Sequence, residues 1–134
     1  MFNKGLIIGI ASLVAVISTP ALAHHSTAGY DPTHQKTLVG TVKKFYWTNP
    51  HMFIYLLVDD GKGGTEEWTV ECGTPNINIR NGWKVDIIKP GDKITVLMNP
   101  ARNGTMDGQA DTVTLADGRK LLSPGHDTAA QARH

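Results

Sequence analysis

Cysteine is nearly absent from this chain of 134 residues: Cys72 is the only one. No disulfide can form within it, so the fold must rest on an apolar core. An excess of one charge is missing too. Lysine and arginine number 13 against 12 aspartates and glutamates, which removes the electrostatic reason to expect nucleic acid or anionic lipid as a partner. Catalytic signatures are also lacking. There is no Gly-x-Ser-x-Gly elbow and no His-Glu-x-x-His helix, and no motif places a histidine beside Cys72. The glycine-rich run at residues 61–64 sits in a hairpin rather than before a helix, so it does not cradle phosphate. Asp59 and Asp60 beside it lack the carboxylate spacing of a calcium loop. These absences point away from an enzyme.

Long hydrophobic runs are absent except for one, at the start. Lys4 precedes an apolar stretch from Gly5 to Ile17, and Ala21-Leu22-Ala23 supplies the small-x-small pattern of a leader cleavage site. The stretch is shorter than the about 20 residues a spanning helix needs. Residues 1–23 are therefore expected to be a cleaved secretory signal peptide, giving a periplasmic protein with no membrane span after cleavage. Loss of Lys4 leaves 12 basic and 12 acidic residues. In an exported protein Cys72 reads as a buried small hydrophobe, a soft metal ligand or a thiol for another chain.

After a polar segment, residues 24–36, the pattern turns to strands. Period-two alternation marks Thr37–Trp47, His51–Val58 and Glu66–Glu71, with Gly40 suggesting a bend or bulge. Thr74 as N-cap, Pro75 in the first turn and Gly82 as left-handed cap predict a short helix. Two further strands are expected near Lys93–Met98 and Ala110–Leu115, separated by a glycine-rich loop from Asn103 to Gly108. A last short segment, Lys120–Leu122, follows the Asp117-Gly118 turn, and residues 123–134 read as a flexible tail. Three strands, a short helix and two strands is the order of an all-β, five-stranded OB-like Greek-key barrel, here over residues 37–122. An open sheet-plus-helix roll shares that order.

Cleavage after Ala23 would make His24 the N-terminus. Its α-amine, with a pKa of about 7.7–8.0, yields to a metal more readily than lysine does. Amine and ring Nδ1 together chelate one ion, and a second imidazole would complete the T-shaped site called a histidine brace. His51 is the candidate. With Met52, Ile54, Leu56 and Val58 directed inward, His51, Phe53 and Tyr55 share the outer face. With Trp68 and Val70 inward, Glu67, Thr69 and Glu71 are outward, so a hairpin brings His51 near Glu71. His24, His51, His25 and Glu71 are the expected ligands, and imidazole with carboxylate suits copper(II) first. His25, the neighbouring residue, does not readily supply the third ligand in that geometry; it would bind through its amide, act in a second site, or be merely a neighbour. His34 ranks below these, His126 and His134 are incidental, and Met98 belongs to the core.

A second reading needs no metal. Trp47, Phe53 and Tyr55 would form a stacking surface for a sugar, peptide or small molecule, as OB-like barrels use theirs. Another envelope protein is a further conceivable partner. A copper oxygenase comes last, since so small a domain has little room for an extended substrate face.

The segments AHHS, GTVKKFYWTNPH, WTVECGTPN, NGW, KPGD, NPARNG and VTLADGRKL together resemble a family of small exported proteobacterial proteins of unknown function. The resemblance covers nearly all of the mature chain and implies a secreted single domain with no assigned reaction. Its characteristic positions here are His24, His25, Ser26, Trp47, Asn49, Pro50, His51, Glu71, Pro75, Asn76, Gly82 and Trp83. Cys72 departs from the pattern, where a plain hydrophobic residue is expected, and so argues against thiol chemistry. The presence of both His24-His25 and Asn49-Pro50-His51 in the pattern strengthens the metal reading.

Overall fold

The alternation from residue 51 pleats as its periodicity requires. In the computed structural model, which describes residues 29–124, Met52, Ile54 and Leu56 are buried while Phe53 and Tyr55 lie half-buried on the other face. In chain order the elements are β1 (Lys36–Tyr46), β2 (Phe53–Asp59), β3 (Thr65–Glu71), α1 (Pro75–Ile79), β4 (Lys93–Pro100), β5 (Asp107–Thr114) and β6 (Lys120–Leu122).

β1, β2 and β3 form an antiparallel meander, and β4 returns along the free edge of β1. β5 pairs with β4 antiparallel and with β3 parallel, through Thr69–Asp107, Val70–Gly108 and Glu71–Gln109. That parallel pairing closes five strands into an OB-like barrel, and closure removes the exposed edges of an open sheet. β6 extends the same edge of β5 beyond the end of β3. The interior holds Val42, Ile54, Leu56, Val70, Val96, Met98 and Val113, each essentially inaccessible to water. Each such side chain contributes about 1.5–3 kcal/mol on burial.

α1 starts and stops where its sequence signals lie. Thr74 Oγ1 accepts from Ile77 N, and Pro75 occupies the first turn. Gly82, at φ +87°, ends the turn in the left-handed conformation. Trp83 N then bonds Asn78 O at 3.1 Å and Gly82 N bonds Ile79 O at 3.2 Å, the paired bonds of a Schellman closure. The closure turns Trp83 into the core, where its Nε1 donates to Leu122 O at 2.8 Å. Among the described residues no helix is long and apolar enough to cross a membrane.

Three details differ from expectation. The bulge in β1 falls between Val42 and Lys44, not at Gly40. Gly40 answers to crowding instead: a Cβ there would lie 2.5 Å from Leu57 O and 2.7 Å from Leu56 Cγ. β5 begins at Asp107, inside the expected glycine-rich loop, because Gly108 is a packed strand glycine whose missing side chain makes room for Met98. Ser123, expected to start the tail, is fully buried. Its Oγ accepts from Gly73 N at 2.9 Å and from Asn78 Nδ2 at 3.1 Å, tying the chain after β6 to the β3–α1 turn.

Candidate functional site

The barrel places one group of polar side chains where OB-like folds bind ligands, on the outer β2–β3 face between the β1–β2 and β4–β5 loops. Thr48 Oγ1 donates to His51 O at 2.7 Å, shaping the β1–β2 loop, and the Asn49–Pro50 peptide in it is cis. Cys72 N donates to Met52 O at 2.8 Å, carrying the β2–β3 ladder past the named ends of the strands. This pairing sets His51 over the end of β3.

His51 Nδ1 lies 3.1 Å from Glu71 Oε1 and 3.3 Å from Cys72 O. Both neighbours are acceptors, so Nδ1 carries the ring proton, and in the neutral ring the lone pair resides on Nε2. Glu71 is outward in the pleat, as the alternation predicts, yet it is buried. Its cover is Tyr30, whose hydroxyl donates to Glu71 Oε2 at 2.7 Å. Both carboxylate oxygens are thus engaged, Oε2 by Tyr30 and Oε1 by His51.

Tyr30 is stitched to the β4–β5 loop. It bridges to Ala101, Asp31 N donates to Pro100 O at 2.9 Å, and Arg102 N donates to Gly29 O at 2.9 Å. Burial, then the hydrogen bond to Glu71, then the charges of Glu71 and Asp107 hold the Tyr30 hydroxyl above its ordinary pKa. It stays a phenol and remains a donor.

Phe53 pairs across with Tyr46 on β1 and with Glu71 on β3, so the three form one outward row. In the next row Tyr55 lies between Lys44 and Thr69. Tyr46 and Tyr55 meet edge to face at 5.4 Å, and Lys44 Nζ sits 4.2 Å above the Tyr46 ring. Lys43, Lys44, Tyr46, Tyr55 and Glu67 line a shallow groove of about 330 Å³. Trp47 does not join this face: it packs against the core and meets Phe45 edge-on at 6.1 Å. Tyr46 stands in the place expected for it.

Cys72 is buried, and its thiol is pushed up to about 12, chiefly by desolvation, with Glu71 adding and a Ser123 hydrogen bond opposing. Of its three readings, the small buried hydrophobe is the one that fits. His34 pairs with Asp31 at the surface, Nδ1 to Oδ2 at 2.9 Å. His24, His25, His126 and His134 lie outside the described residues, as does the leader. Among the described residues no three His, Cys, Asp or Glu side chains cluster to hold a metal.

A family model, described as a family of unknown function, DUF6152, matches residues 11–110. The chain belongs to DUF6152. The match spans His24, His25, His51 and Glu71, and it assigns DUF6152 no reaction or ligand. No curated protein and no solved structure gives a significant match.

Sequence reading overlooked Tyr30 in this DUF6152 chain. An aromatic residue in an otherwise polar segment was the available signal, but its contact with Glu71 spans 41 positions. Only barrel closure brings β5 and the β4–β5 loop beside β3.

Proposed function

We propose that the mature protein is a periplasmic copper(II)-binding protein that serves in binding, delivery or sequestration. The observation that carries this reading is the His51 ring, its Nδ1 held by Glu71 Oε1 at 3.1 Å. Carboxylate-to-histidine support of this kind fixes the tautomer and raises the basicity of a ligating nitrogen. The second donor set would be the amine and Nδ1 of His24, exposed by export and leader removal, with His25 as helper. His24 lies only six positions before the anchored Tyr30. At about 3.3–3.6 Å per extended residue that stretch reaches on the order of 20 Å, enough to return to His51. Two imidazoles and an amine suit copper(II), which leads the affinity order for such donors.

The test is a copper(II) titration of exported, processed protein, followed by electron paramagnetic resonance. Nitrogen hyperfine structure from two imidazoles and an amine is expected. A His24→Ala/His51→Ala double variant, or an added N-terminal methionine, should weaken binding by at least about 100-fold, the upper end of what losing an outer-shell partner alone does. Unchanged affinity in the double variant overturns the reading.

The row of Tyr46 and Phe53, with Tyr55 beside it, favours a second reading: a metal-free barrel that stacks a sugar, peptide or small molecule on this face. Native mass spectrometry of exported protein separates the two, since retained organic mass without metal supports only the second.

A further inference from the structure

We infer that the outer groove on β1 and β2 takes a small ring compound carrying one carboxylate, an inference that rests on the stacking reading above and not on copper. The bulge in β1 builds this groove. Val42 pairs with Leu56 and Lys44 with Tyr55, so Lys43 is the extra residue between them. Without it, alternation would send Lys44 to the buried face that Val42 occupies. With it, Lys43 and Lys44 are both exposed and line the groove together with Tyr46 and Tyr55, while Phe45 packs on the core. Bulges re-aim side chains in this way and are over-represented beside active sites.

The two lysines are not equivalent. Lys43 Nζ lies 2.6 Å from Glu67 Oε2, which answers its charge. Lys44 makes no ion pair among the described residues, and its Nζ rests 4.2 Å from the centre of the Tyr46 ring. A ring face attracts a cation without neutralising it. Two ammoniums against one carboxylate therefore leave the groove with a single positive charge. Beside that charge stand the rings of Tyr46 and Tyr55, edge to face at 5.4 Å. The space of about 330 Å³ is at the lower end of small-molecule sites. A ring stacked on the tyrosines can bring one carboxylate to Lys44, and no charge in the groove is then unanswered. A neutral ring leaves Lys44 without an anion, and a dianion brings its second charge toward Glu67. Aromatic acids and acidic sugars share the required chemistry.

The test is a titration of exported protein at low ionic strength, followed by the amide shifts in proton–nitrogen NMR. The probes are benzoate with its neutral counterpart benzamide, and glucuronate with its neutral counterpart glucose. Shifts are expected at residues 43–46 and at Tyr55. In at least one pair the acid should bind about threefold to fivefold tighter than the neutral compound, the size of an exposed ion pair. Which pair shows it separates an aromatic acid from an acidic sugar. Lys44→Met keeps the aliphatic stem and should abolish the preference. Glu67→Gln should instead tighten binding of the acid by a similar factor, because Lys43 is released to it. A merely structural Glu67 gives no such gain. Equal binding of acid and neutral compound at the groove, or a preference that survives Lys44→Met, overturns the inference while the stacking reading stands. If none of the four probes shifts these amides, the inference is overturned, and retained organic mass in native mass spectrometry still decides the stacking reading.

Discussion

Glu71 and Cys72 are sequence neighbours with opposite faces and opposite chemistry. Glu71 points outward, where Tyr30 and His51 satisfy its charge, while Cys72 is sealed in the core. A buried carboxylate is tolerable only with such partners, and a buried thiol needs none. Because the thiolate is the reactive form, a thiol held near 12 is inert at neutral pH. Cys72 should therefore resist an aromatic disulfide reagent at pH 8 in native protein and react at once in concentrated urea. Rapid native labelling would show that the barrel opens locally at β3. The closeness of His51 and Glu71 was legible from alternation on two adjacent strands. The deeper burial of Glu71 was not, because its cover arrives from a segment without periodicity.

At the scale of elements, α1 was readable in full from Thr74, Pro75 and Gly82, since capping is local chemistry. The β1 bulge was not readable, because a bulge is decided by the register of both neighbouring strands. Gly40 looked like its signature and instead relieves a clash with β2. Ser123 belongs to the same class of long-range decisions. Its hydroxyl joins the chain after β6 to the turn that leads into α1, 50 positions away at Gly73. Ser123→Ala would leave the buried Gly73 N–H and one Asn78 amide hydrogen without this acceptor. A buried donor left unsatisfied costs about 1–3 kcal/mol. Urea denaturation of Ser123→Ala should show a loss of that size in unfolding free energy, with an unchanged slope.

Buried Cys72 and half-buried Tyr30 contribute a pH dependence to the stability of the whole molecule. Cys72 and Tyr30 both hold their protons more tightly folded than unfolded. Below about pH 9 both states keep these protons, and the full stability is present. Above it the unfolded chain releases protons that the folded chain retains, so stability falls as pH rises from the ordinary thiol value of 9.0 toward about 12. The slope from Cys72 approaches about 1.4 kcal/mol per pH unit in that window. Urea midpoints measured from pH 8 to pH 11 should decline, and Cys72→Ala should flatten the decline.

Much of the architecture was settled by the sequence alone: most strand positions by period-two alternation, the helix by its caps, and the order of the elements by their succession. These are properties of short stretches, where each residue answers to neighbours a few positions away. The pairing of β3 with β5, the packing of Gly108 under Met98, the burial of Ser123 and the seat of Tyr30 on Glu71 were decided only by the tertiary structure. Each joins segments tens of residues apart, and no local pattern encodes which distant backbone will arrive. The candidate site divides along the same line. His51 and Glu71 come from a hairpin, and Tyr30 comes from closure of the barrel.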